Sequence, residues 1–172
     1  MFMFPVILVS SLVDGAIETG PRQSRVELAS PDPASCNGTD TAAVRVHITG
    51  LKNGNGTVRV QAYGAEPADF LAKGKWVRRV EVRPQGRDSV DVCLQLPRTG
   101  SYALAVRHDA NANGKSDWND GAGFSRNPKL SLLHLKPAYE QVVLTVSGRV
   151  LGVTVVMNYR QGFSIGPQSL LR

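Results

Sequence analysis

Nowhere do these 172 residues hold an apolar run long enough to cross a bilayer as a helix, which takes about 20 residues. Two cysteines and three histidines, His47, His108 and His134, are too few and too scattered for a zinc cage of the usual spacing. No phosphate-cradling Gly-rich motif is present. Acidic side chains are in the minority, 14 against 20 Lys and Arg, giving a net charge of +6. That balance permits anionic partners, but it bears on association and solubility, not on fold. Long helical periodicity is missing as well.

What is abundant is turn chemistry. Seventeen Gly and ten Pro cut the chain into short apolar stretches with period-2 alternation, which is the pattern of half-buried strands. AAVRVHI (42–48) places Val44, Val46 and Ile48 on one face, and TVRVQAY (57–63) follows after LKNGNG, so the two runs read as a hairpin. KWVRRVEV (75–82), SVDVCLQL (89–96), SYALAVRHD (101–109), QVVLTVS (141–147) and RVLGVTVVMNY (149–159) supply further strands. In SYALAVRHD Tyr102, Leu104, Val106 and His108 share a face. A single helical turn fits near Pro67. About seven strands with almost no helix predict an all-β, antiparallel β-sandwich of immunoglobulin-like or transthyretin-like type. The domain is expected over 41–160, with a loose tail at 161–172.

Phe2 to Val13 is an apolar run of signal-peptide length, with small residues up to Ala16 that suit cleavage. No Lys or Arg precedes it, and Asp14 sits unfavourably near the cleavage site. The expectation is a signal peptide over 1–16, a polar arm over 17–40, and a periplasmic or secreted location. Cys36 and Cys93 are then candidates for a disulfide. Val90, Val92, Leu94 and Leu96 alternate to one side, so Cys93 points to the other. A bridge from Cys36 would staple the arm to the outer face. By loop-closure entropy it is worth about 4 kcal/mol.

The most informative stretch runs from Asp109 to Asp120. Oxygen-bearing side chains fall at Asp109, Asn111, Asn113, Asp117 and Asp120, Gly114 takes the bend, and the Lys115 backbone carbonyl lies between. This is the spacing of a calcium loop. Calcium takes about six to eight hard oxygens in flexible geometry, and alternate residues of a tight loop can turn theirs inward. The flanks exclude an EF-hand: upstream residues alternate as a strand, and GAGFSRNPK downstream is no helix. Asp120 reaches less far than the usual Glu, and Arg107 and Lys115 lower the local field. Affinity of the extracellular-module order, roughly 0.1–1 mM, is expected. A metal-free loop of Asx turns is the competing reading.

At these residues a resemblance becomes specific. YALAVRHDANANGKSD followed by GFSRNP resembles the bacterial domain-of-unknown-function family 2141. VRVHITGLKNGNGTVRVQAYG resembles that family's first hairpin, and VTVVMNY its last strand, so the likeness covers about residues 42–159. It implies a small secreted or periplasmic β-sandwich with no established activity. The segment joining the Asp loop to Gly123-Phe124-Ser125 is shorter than in the family and lacks its customary Pro and Glu. The resemblance implies nothing about calcium, so that expectation rests on spacing.

Other signals are weaker. Lys73, Lys75, Arg78 and Arg79, with Trp76 among them, form a basic stretch reaching towards Arg87 that would suit an envelope glycan or another anionic surface. Nucleic acid is the less favoured partner for so short a patch. Gly162-Phe163-Ser164-Ile165-Gly166 matches a nucleophile-elbow pattern, but no Asp, Glu or His follows it, so the chain is not expected to be an enzyme. His108 reads as a partly buried strand residue bonded locally, with a role in orienting the loop as the alternative. Asn37-Gly38-Thr39 and Asn55-Gly56-Thr57 read as turns. The sequence alone thus points to an exported, non-catalytic module with a structural calcium loop at 109–120; the alternative is an envelope- or carbohydrate-binding protein using the 73–87 stretch.

Overall fold

The computed structural model describes Cys36 and residues 42–168. The expected signal peptide, the arm apart from Cys36, and the last four residues lie outside the described residues. The described chain is built almost wholly of strands: β1 (Ala43–Thr49), β2 (Thr57–Tyr63), β3 (Arg78–Val82), β4 (Val90–Gln95), β5 (Gly100–Asp109), β6 (Gly121–Phe124), β7 (Val143–Val146), β8 (Val150–Val156), β9 (Asn158–Gln161) and β10 (Ser164–Pro167). One short helix, α1 (Tyr139–Val142), leads into β7, and a 3-10 turn spans Pro67–Asp69, where Pro67 was expected to open a helical turn.

The strands form a sandwich. One sheet has three strands in the order β4-β1-β8, and the other has seven, in the order β10-β9-β6-β5-β2-β3, with β7 pairing the first half of β5. All pairs are antiparallel except β1 with β8. The inward sets are those that alternation picks out. Val44, Val46 and Ile48 of β1 and Val92 and Leu94 of β4 face Val58, Val60, Leu104 and Val106 of the other sheet. Each of these side chains is essentially closed to solvent, and each such burial stabilises by about 1.5–3 kcal/mol.

Three expectations are corrected. The runs 42–48 and 57–63 are not a hairpin: β1 pairs β4 and β8, whereas β2 pairs β3 and β5. Both runs are apolar on one face because they face each other across the core. The LKNGNG segment carries the chain from one sheet to the other, braced by the Gly86 N–H donating to the Gly54 carbonyl. Likewise 149–159 is not one strand. It leaves the smaller sheet after Val156 and enters the larger at Asn158, with Met157 buried at the crossing. The tail is also more ordered than expected, because Ser164–Pro167 folds back as β10 on β9. That hairpin contains the Gly162–Gly166 motif, which therefore lacks the strand-turn-helix setting of an elbow.

Cys36 and Cys93 form a disulfide. Cys93 lies opposite Arg45 on the outer face of the smaller sheet, and with Cys36 and Ala43 it makes a small buried cluster apart from the main core.

Candidate functional site

The Asp/Asn loop is the connection between β5 and β6, which pair antiparallel from Ala105↔Phe124 to His108↔Gly121. The loop is laced by its own side chains. Asp109 Oδ1 accepts from Asn113 N–H at 3.1 Å and Oδ2 from Gly114 N–H at 2.8 Å. The Asn113 side-chain oxygen accepts from Lys115 N–H at 2.8 Å, and that of Asn111 from Asn113 N–H at 3.2 Å. Asp120 accepts from Ala110 N–H and Asp117 N–H. Such Asx turns satisfy the donors of a loop that has no ladder. Gly114, at φ +75°, makes the bend foreseen for it.

The six sequence-predicted ligands fall into two groups. Asp109, Asp120 and the Lys115 carbonyl converge on a single cation, the Arg107 guanidinium. Its Nη2 donates to Asp109 Oδ2 at 3.2 Å and to the Lys115 carbonyl. Its Nε lies 3.4 Å from Asp120 Oδ2, as an ion pair lacking hydrogen-bond geometry. Asn111, Asn113 and Asp117 make the second group: both amide NH2 groups donate to Asp117 Oδ2, at 2.8 and 2.7 Å. Those amides, the Asn111 bond foremost, with the Asn119 N–H, hold the exposed Asp117 carboxyl below its ordinary range. Among the described residues no three carboxylate, imidazole or thiol groups converge into a ready cage.

A second loop supports the first. Gly56 sits at φ +69° against the loop's root, and a Cβ there would lie 1.8 Å from the Asp109 carbonyl oxygen. The preceding residue joins a buried relay. His108 Nε2 is 2.9 Å from the Asn55 carbonyl, its Nδ1 is 2.6 Å from the Tyr159 hydroxyl, and that oxygen accepts from Lys52 N–H at 3.0 Å. A carbonyl only accepts, so Nε2 carries the proton and Nδ1 accepts from Tyr159. Burial lowers the His108 pKa from its ordinary value and pushes Tyr159 up to about 12. The pair is thus neutral at physiological pH, with every polar atom engaged. Tyr159 and Gly56 carry no signal in the sequence beyond a strand residue and a turn. Gly121 does one further thing, since a Cβ there would meet the Tyr159 ring at 2.4 Å.

Ser125 was also missed. It is fully buried, accepts from Leu104 N–H at 3.0 Å and donates to the Val142 carbonyl, locking the end of β6 to β5 and α1.

The basic stretch is dispersed and partly engaged. Trp76 packs with Phe70, Tyr139 and Phe124 over the outer face of the larger sheet. Arg79 stacks over Trp76 at 5.3 Å and, with Arg59, pairs with Glu81. Burial alone would raise the Glu81 pKa; these two arginines overturn that and hold it below its ordinary value. Lys75 lies 3.3 Å from Asp69, Lys73 is exposed, and Arg78 is half-buried on β3.

Comparison with known proteins gives one match. The model of a family described as "Uncharacterized protein conserved in bacteria (DUF2141)" matches residues 46–153, which take in strands of both sheets and the whole Asp loop. No curated protein and no solved structure matches the chain. The match covers more than half of the residues, and the chain belongs to this bacterial family.

Proposed function

We propose that the protein is an exported, non-catalytic β-sandwich module whose 109–120 loop binds calcium weakly and is ordered by it. The observation that carries this reading is the convergence of Asp109, Asp120 and the Lys115 carbonyl on one cation. These are the first, last and backbone ligands that the spacing assigns. A dication entering there would displace the guanidinium and recruit Asp117 with the Asn111 and Asn113 oxygens from the adjoining cluster. Asp109 is already fixed by two backbone donors, which lowers the ordering cost of binding.

The disulfide supports export, since such bonds persist in oxidising compartments. The non-catalytic reading draws on His108, the base nearest the loop, whose ring nitrogens are both committed and whose pKa is lowered. The basic stretch is the less favoured binding surface, because Trp76 and Arg79 are engaged within the fold.

Terbium titration tests the metal reading. Trp118 lies within the loop and is well exposed, so bound terbium should show sensitised emission that millimolar calcium quenches and Asp109→Asn/Asp120→Asn abolishes. Absence of emission at millimolar terbium would remove the calcium reading.

A further inference from the structure

The outer face of the larger sheet is covered unevenly. At one end Phe70, Trp76 and Tyr139 lie over Tyr63, Ala103 and Phe124 as a second small core. At the other end the cover stops, and a cleft of about 440 Å³ opens between the Asp/Asn loop and the 130–136 segment. That volume lies within the range of sites for small organic ligands, about 300–1,000 Å³.

Its floor is apolar: Ala105 of β5, Ala122 and Phe124 of β6, Leu130 and Ile165 of β10. The two alanines keep the trough deep where a larger side chain would fill it. Its rim carries charge that is unevenly neutralised. Asp117 is held by two asparagine amides and Asp120 faces Arg107. Lys136 and Arg160 also line the cleft, and neither has a carboxylate partner among the described residues. Arg160 is instead stacked 4.0 Å above the ring of Trp118, which fixes a guanidinium at the mouth. An apolar trough with two uncompensated cations at its edge is complementary to one ligand chemistry.

We propose that this cleft binds a small amphipathic organic anion, a carboxylate, sulfonate or phosphate ester bearing an acyl or aryl group. The apolar part lies on Ala105, Ala122 and Phe124, and the anionic head pairs with Lys136 and Arg160. Ala105, Ala122 and Phe124 belong to the sheet, so the apolar contacts are in place without metal in the loop.

The test uses the folded, chelator-treated protein with two monomeric probes, decanoate and 8-anilinonaphthalene-1-sulfonate, followed by calorimetry and Trp fluorescence. Both should bind with 1:1 stoichiometry. Ala122→Trp, which fills the trough, and Lys136→Glu, an exposed change that leaves the core alone, should each weaken binding at least about tenfold. Arg83→Glu/Arg87→Glu, at a basic site elsewhere on the surface, should leave it unchanged. The proposal is overturned if neither probe binds, if binding survives both cleft variants, or if the Arg83/Arg87 change abolishes it. It is also overturned if decanol binds as tightly as decanoate, or if only vesicles containing anionic lipid bind while monomeric probes do not.

Discussion

Replacing Arg107 by Gln should make the protein less stable without calcium and more responsive to it. In the absence of metal, Arg107 is, among the described residues, the only cation between Asp109 and Asp120, whose side chains are 8% and 7% exposed. Removing one partner of an enclosed ion pair costs about 3–5 kcal/mol. The guanidinium is 21% exposed, so the loss is discounted for solvent screening to about 2–3 kcal/mol. For a chain of this size that lowers Tm by roughly 4–12 °C.

Calcium should then narrow the gap. The wild-type loop must release the guanidinium before the ion can take its oxygens, and the variant need not. If wild-type Kd is roughly 0.3 mM, at the weak end of the calcium range, removing the competitor should bring it to roughly 0.03 mM or below, about a tenfold gain for 1.4 kcal/mol. At about 3 mM calcium the wild type gains about 1.4 kcal/mol and the variant about 2.7 kcal/mol. Scanning calorimetry of chelator-treated protein over a calcium series reads both effects. Magnesium serves as the control, since it dehydrates reluctantly and demands near-octahedral geometry. If Arg107→Gln gains no more from calcium than the wild type does, the guanidinium does not occupy the metal's place and the reasoning fails.

Three further outcomes follow from single contacts. Tyr159→Phe leaves His108 Nδ1 and Lys52 N–H without their partner, and urea denaturation should show a loss of about 1–3 kcal/mol; a neutral result would mean that water replaces the hydroxyl. Gly56→Ala places a methyl against the Asp109 carbonyl at positive φ, so the variant should lose more than about 1 kcal/mol, with a weakened calcium response in the same melts. Glu81 has a folded-state pKa below its ordinary 4.5. Its contribution is therefore complete above that pH and lost as pH falls through the folded value. Wild-type Tm should drop below about pH 4.5 more steeply than that of Glu81→Gln, and parallel profiles would discard the Arg79–Glu81–Arg59 account.

Alternation made the inward faces legible, because burial on one side of a strand forces a period of two. It could not say which sheet each strand joins. Val44, Val46 and Ile48 look the same whether Val58 and Val60 lie beside them or across the core, and the Asn-Gly turn residues serve a sheet crossing as readily as a hairpin. The outward aim of Cys93 followed from the same period, and the disulfide agrees with it. The second core was out of reach. Phe70, Trp76 and Tyr139 come from loops and a single helical turn, where no period marks a buried face. Within the Asp loop, spacing named the oxygens, but it could not show that Arg107, two residues upstream on the same face of β5, would claim three of them.

Where an ion acts in this fold depends on what already holds β5. The strand's last turn into the loop is clamped independently of any metal: His108 and Tyr159 tie it to Asn55 and Lys52, and Gly56 lies against the Asp109 carbonyl. Residues 103–108 are paired by β2 on one side and, on the other, by β7 at 103, by Ser125 at 104 and by β6 at 105–108. An ion has little left to order there. The segment 111–119 is exposed throughout and is held chiefly by side-chain bonds within the loop. Exchange from such amides proceeds through local opening, not global unfolding. Calcium should therefore slow amide exchange at 111–119 by about tenfold or more near saturation, in line with about 1.4 kcal/mol of local stabilisation, and leave 103–108 unchanged. Protection spreading evenly into β5 would instead mean that the loop is coupled to the core, and that the clamp at His108 is softer than its geometry indicates.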